Sequence, residues 1–329
     1  MATIEKRGNK YRARVRIKGV DYSENFTRHA DAKAWAAHME SQILDGVQNN
    51  APRNLFFSDV LERYVKEVVP KREGSKFETL RIQNFMKTRL AKVALTELRP
   101  AHFANWRDDR LKSVSPDTVL RELGILSGIC NIAMKEWGLL PDNPVKKISK
   151  PKGAPPRKRR PTEEELNAIA EKLGYTDESK LDTVHARIGA MMWFAVFTAM
   201  RSGEICGLTW QCIDFEKRLA HLPKTKNGHS RDVPLSTAAI GILEKLRGIH
   251  ETSVFDVQDA TRDVLFRKAR DECGIKDLHF HDLRREALTR MSKKVPVELL
   301  AKISGHRDLK ILLNTYYAPD MADVASMLD

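Results

Sequence analysis

Four short polar clusters between Thr198 and Tyr317 hold the residue types that could do chemistry. The first is Thr198-Ala-Met-Arg201-Ser-Gly-Glu204, and the second is Lys224-Thr-Lys226-Asn-Gly228. The third is His281-Asp-Leu-Arg284-Arg285, and the last runs from Gly305-His306 to Thr315-Tyr316-Tyr317. Two arginines, a lysine, two histidines and a tyrosine suit attack on a phosphodiester without a metal. An arginine fork matches two phosphate oxygens. A histidine with a pKa near neutrality carries protons, and a tyrosine hydroxyl can become a nucleophile.

Each cluster also has a bland reading. Arg201 follows an apolar helix and precedes Ser202, a cap for a short helix over 203–208, with Glu204 placed to orient the guanidinium. Alone, such a pair is a structural ion bridge. Lys226 sits directly before an Asn-Gly turn, where a lysine is ordinarily a solvated charge. His281 and Arg284 stand one helical turn apart and share a face. Asp282 can cap that helix, His279 suits packing, and Arg285 points elsewhere. His306 follows a Ser-Gly turn at a helix start, and Tyr316 and Tyr317 come ten and eleven residues later.

The elements that must position these clusters follow from periodicity. Tyr11 to Lys18 alternates, with Tyr11, Ala13, Val15 and Ile17 on one face and Arg12, Arg14, Arg16 and Lys18 on the other. A second strand over 21–27 and an alanine-rich helix over 30–44 complete a ββα or βββα unit. A polar segment over 49–54 then leads into helical sequence. Ser58 is placed to cap a helix that ends at Pro70, and Pro116 stands at the first turn of a helix reaching Trp137. From Asn143 to Pro161 five prolines and a dense run of lysine and arginine predict a flexible basic linker. Thr162 with Glu165 forms a capping box. An apolar helix over 184–198 is the expected core, and strands over 219–223 and 231–235 flank Asn227-Gly228 as a hairpin.

Composition narrows the class. At 329 residues the chain holds two or three domains, and 42% hydrophobic content is ordinary for a globular protein. A net charge of +13 points to a polyanionic partner, most often nucleic acid. Cys130, Cys206, Cys212 and Cys273 lack metal-ligand spacing and read as buried thiols of a reducing compartment. The longest apolar run, over 188–199, is too short for a bilayer, which needs about 20 residues. No membrane partner is expected, and the chain reads as cytoplasmic and nucleoid-associated.

In their order and spacing, Thr198-Ala-Met-Arg201-Ser-Gly-Glu204-Ile-Cys-Gly-Leu208-Thr-Trp210, Lys226-Asn-Gly228, His281-Asp-Leu-Arg284, Ser304-Gly-His306 and the following tyrosine resemble the tyrosine recombinase family, especially phage-type integrases. The resemblance implies an α+β, mainly helical fold. A small arm-binding sheet and helix would occupy 1–48 and a helical core-binding bundle 55–145. The basic linker would span 146–161, and a mostly helical catalytic domain with a small sheet 162–329. It implies a site-specific recombinase that integrates or excises a mobile element through a 3′-phosphotyrosyl intermediate, with neither metal nor ATP and no cofactor. Arg201, Lys226, His281, Arg284, His306 and Tyr316 would be catalytic, with Glu204 supporting Arg201. The family's tyrosine falls nine residues after the second histidine, where this chain has Thr315. The nearer Tyr316 is therefore chosen, with Tyr317 the alternative nucleophile.

Double-stranded DNA would be gripped by Arg12, Arg14, Arg16, Lys18, Lys147, Lys150, Lys152, Arg157 and Lys158. The resemblance also implies a tetramer on DNA with exchange of the C-terminal tail, whose Met321, Val324, Met327 and Leu328 recur at helical spacing. DNA-bending or directionality proteins would be accessory partners. A non-catalytic DNA-binding regulator of the same fold and a type IB topoisomerase are the other readings.

Overall fold

The computed structural model describes residues 2–17, 20–44, 54–72, 75–223 and 230–317. The chain divides into two units, Met1–Pro156 and Arg157–Asp329. The described residues are mainly helical, with two small antiparallel sheets among them. Among the described residues no helix is long and apolar enough to cross a membrane.

The first unit opens with a meander of β1 (Ala2–Arg7), β2 (Lys10–Ile17) and β3 (Val20–Phe26), covered by α1 (His29–Leu44). The alternation of β2 decides which face is covered. Ala13 and Val15 are fully buried with Ala32 and Ala36 of α1. The outward arginines do not stand bare. Arg14 and Arg16 converge on Asp21 across the ladder, and Arg12 donates to the Ser23 hydroxyl at 3.0 Å. Lys18 lies outside the described residues.

Four helices follow: α2 (Phe57–Glu67), α3 (Ser75–Met86), α4 (Pro100–Leu111) and α5 (Pro116–Lys135). Their apolar faces share one core that includes Phe57, Tyr64, Ile82, Phe103, Leu123 and Ile129. Arg110 of α4 is held by both carboxylate oxygens of Glu122 of α5, at 2.8 and 2.9 Å. Ser115 caps α5 with Pro116 in its first turn, as the sequence predicts. Ser58, expected to cap α2, does not. The helix starts at Phe57, and the Asp59 carboxylate accepts the Phe56 amide at 2.7 Å instead.

The second unit is built around α7 (Val184–Thr198), preceded by α6 (Glu163–Lys172). Thr162 and Glu165 cap α6 reciprocally. Nearly every side of α7 is covered, with Ile188, Met191, Met192, Phe194 and Val196 buried. Gly189 permits that closeness, because a Cβ there would lie 2.4 Å from the Cβ of Tyr175. After α7 come α8 (Ser202–Cys206), the strands β4 (Ile213–Asp214), β5 (Leu219–Leu222) and β6 (Arg231–Pro234), and α9 (Thr237–Leu246). The sheet order is β4-β5-β6, so the expected hairpin gains a third strand. Then come α10 (Asp259–Glu272), α11 (Phe280–Ser292), α12 (Val297–Ser304) and α13 (Leu309–Tyr316).

Two further expectations need correction. Of the four cysteines only Cys130 is buried, while the other three keep some solvent contact. The end of the expected flexible linker is tied down within the second unit. Arg157 bonds to Asp277 and Asp282, Arg159 pairs with Glu165, and Arg160 donates to Glu286 at 2.8 Å.

Candidate active site

The site begins where α7 ends. Ala199 adopts a left-handed conformation (φ 53°), which turns the chain out of the helix and leaves its carbonyl available. Arg284, buried on α11, donates to that carbonyl and, at 2.6 Å, to the carbonyl of Ser304 at the end of α12. One guanidinium thus ties the ends of α7 and α12 to α11. Burial, and then the neighbouring Arg201 cation, push its pKa down to about 10, so it remains charged at neutral pH.

Arg201 precedes α8 and is held by Glu204, which accepts its backbone amide at 2.8 Å and its Nη1 at 2.9 Å. The first turn of α8 is thus capped by Glu204, not by Ser202, which lies inside the helix. The same carboxylate accepts both terminal nitrogens of Arg231 on β6, at 2.9 and 2.6 Å. Burial alone would raise the Glu204 carboxyl. The hydrogen bonds from Arg231 and Arg201 overcome it and hold the pKa at about 2.

His281 stands on the first turn of α11, where the Asp282 carboxylate accepts the His279 amide at 2.8 Å. Its ring meets solvent, yet packing and the Arg284 cation lower its pKa from the ordinary value. A cleft of about 710 Å³ opens beside it, lined by Arg201, Ser202, Leu208, Leu222 and Pro223. His306 follows Gly305, whose positive φ of 72° ends α12. Its Nδ1 lies 2.7 Å from the Ser304 hydroxyl oxygen. Burial, then Arg284, Arg201 and Arg231, drive its pKa down to about 4, so the free site holds it neutral.

The two tyrosines at the end of α13 are placed differently. Tyr316 is half-buried, and the guanidinium of Arg285 lies over its ring, 5.8 Å from the centroid. Burial raises its hydroxyl pKa, while Arg285 and Arg284 draw it back down. Tyr317 spends its hydroxyl on the carbonyl of Val295.

Arg201, His281, Arg284, His306 and Tyr316 are therefore close enough to act on one another's charge. Lys226 and the tail from Ala318 lie outside the described residues. Of the residues expected to grip DNA, Lys150, Lys152 and Lys158 are exposed. Lys147 pairs with Asp142, and Arg157 is occupied by Asp277 and Asp282.

Sequence reasoning missed three residues. Arg285 was expected to point away and instead covers Tyr316. Arg231 was read only as a strand residue. Alternation with buried Val233 puts it on the inward face, the one available signal. Ser304 was read as part of a turn.

A permanently cationic pair set beside two neutral imidazoles and a tyrosine can bind a phosphodiester and attack it. Comparison with known proteins gives the family. The model of the phage integrase family matches residues 159–323. A Haemophilus influenzae protein named as an integrase/recombinase is 46% identical, over 98% of this chain and 89% of its own. The chain belongs to the phage integrase family. It is thereby a tyrosine-type site-specific recombinase or integrase. An Escherichia coli shufflon-specific DNA recombinase is 36% identical over 79% of this chain and 68% of its own. Among solved structures, a lambda integrase dimer bound to a core site superposes with a TM-score of 0.66, covering 95% of this chain and 94% of that one. At 17% identity that likeness concerns the integrase fold alone.

Proposed function

We propose that this integrase cuts and rejoins double-stranded DNA at specific sites through a 3′-phosphotyrosyl link on Tyr316, integrating or excising a mobile element. Arg201 and Arg284 hold the non-bridging oxygens of the scissile phosphate and stabilise the charge that builds up on them. The Tyr316 oxygen forms a bond to phosphorus, and the bond from phosphorus to the 5′-oxygen breaks. Lys226 gives that leaving oxygen its proton. His281 assists proton transfer, and His306 hydrogen-bonds the phosphate. Glu204 holds Arg201 in place. The phosphodiester bond energy is kept in the protein–DNA link, so rejoining requires no external energy source.

The observation that carries this reading is the contrast at the end of α13. Tyr316 lies within the field of Arg284, whereas Tyr317 is tied to Val295. Arg12, Arg14, Arg16 and Lys18 on the N-terminal sheet would meet arm DNA. Lys147, Lys150, Lys152 and Lys158 would contact the duplex near the linker. On DNA the protomers would form a tetramer joined by their tails; a lambda integrase tetramer bound to a Holliday junction is among the similar solved structures. Accessory DNA-bending or directionality proteins would decide the direction of exchange, and the protein would act in the cytoplasm at the nucleoid.

The test is a supercoiled plasmid carrying two copies of the site flanking the gene, incubated with protein and EDTA without ATP. Direct repeats should yield two circles and inverted repeats an inverted segment. Relaxation alone would indicate a topoisomerase, and binding without strand exchange a regulator.

A further inference from the structure

Ser304 is completely buried, and two groups of the site, Arg284 and His306, converge on it. Its carbonyl accepts from Arg284 at 2.6 Å. Its hydroxyl oxygen lies 2.6 Å from the Leu300 carbonyl oxygen and 2.7 Å from His306 Nδ1. A carbonyl carries no proton, and two oxygens approach to 2.6 Å only with a proton between them. The single hydroxyl proton therefore points at Leu300. The contact to the histidine must then be made with the ring's own proton, and the hydroxyl oxygen accepts it.

We propose that Ser304 is a positioning residue that fixes His306 as the Nδ1–H form, so that His306 can donate from Nε2 to a phosphate oxygen only after taking up a second proton. In the neutral ring Nε2 carries a lone pair, which repels a phosphate oxygen. The charged groups facing the ring are Arg284 from α11, Arg201 before α8 and Arg231 from β6, with Glu204 bridging the last two. These cations disfavour an imidazolium in the empty site, and a bound phosphodiester would offset them. Phosphate loading then draws a proton onto Nε2, and the ring bridges Ser304 and the phosphate with both nitrogens donating. The hydroxyl thus makes proton uptake part of substrate engagement. This step rests on the phosphodiester reading of the site, whereas the ring's form in the free protein does not.

The experiment is ¹⁵N-histidine NMR of the full free chain at pH 7, with His306→Gln to assign the ring and thermal melts to check folding. His306 should show Nδ1–H in the wild type and shift to the Nε2–H form in Ser304→Ala. Ser304→Thr, which keeps the hydroxyl, should retain Nδ1–H. An Nε2–H ring in the wild type, or no change in Ser304→Ala, would overturn the proposal. Strand cleavage supplies the second readout. Above the bound-state pKa of His306 the wild-type rate should fall about tenfold per pH unit, and Ser304→Ala should flatten that slope. An equal slope in both would also overturn it. If the wild type cleaves no DNA at all, the recombinase reading fails while the ring's form is still measured.

Discussion

Arg231 holds both carboxylate oxygens of Glu204, at 2.9 and 2.6 Å, while its Nε donates to the carbonyl of Ile303 at 2.9 Å. One strand residue therefore links the start of α8, which follows Arg201, to the end of α12, which precedes His306. The side chains of this pair are only 8% and 11% exposed. Removing Arg231 leaves the buried Glu204 carboxylate with only its bonds to Arg201, which should cost a large part of the about 3–5 kcal/mol of a fully broken buried pair. Arg231→Ala should lower unfolding stability by that order, read from urea midpoints. Arg231→Lys should recover little, because a single ammonium cannot reproduce the paired fork. A loss below about 0.5 kcal/mol would place Arg231 among ordinary surface charges.

The same carboxylate makes stability depend on pH. Glu204 titrates at about 2 in the folded chain, below its ordinary value of about 4.5. Glu286, held by Arg160 and Arg290 against the opposing effect of burial, is lowered too. A carboxyl depressed by folding contributes stability that is present above its unfolded pKa and lost as pH falls toward the folded one. Urea midpoints should therefore drop between about pH 5 and pH 2, and Glu204→Gln should drop less steeply while starting lower. Equal slopes would argue against the pairing.

Much of this was legible in the sequence. The alternation of β2, the Thr162 capping box and the apolar run of α7 each depend on near neighbours, which is the information local pattern carries. Ser58 and Ser202 show the limit. Each stands where a hydroxyl cap belongs, but a carboxylate, Asp59 or Glu204, takes the amide. Arg231 and Arg285 were illegible for a different reason. Their partners lie far away in the chain or on another helix, and no spacing rule reports a bond between β6 and α12. Ser304 meets Leu300 and His306 nearby in the chain but reads there only as a turn residue.

Gly305 follows from that junction. Its φ of 72° is left-handed, and a Cβ there would lie 3.2–3.4 Å from the Arg231 guanidinium and its Cδ. Gly305→Ala should cost about 1 kcal/mol or more in backbone strain and displace Arg231 and His306 together. Thermal melts read the first effect, and a cleavage rate reduced beyond what folding explains reads the second. An alanine variant with unchanged stability would contradict the constraint.

The tie between Arg157 and Asp277 and Asp282 makes a prediction about the segment once expected to be flexible. Arg157→Ala should release it, so that trypsin cuts after Lys158 several-fold faster than in the wild type under native conditions. An unchanged rate would mean that Arg159 and Arg160 hold the segment without it.

The central claim is that Tyr316 is the nucleophile, although it stands one residue beyond the family's spacing. A nicked suicide substrate, which loses the strand that would rejoin, traps the covalent protein–DNA product for gel analysis. Tyr317→Phe should trap it and Tyr316→Phe should not. Trapping by Tyr316→Phe with none by Tyr317→Phe would contradict the assignment.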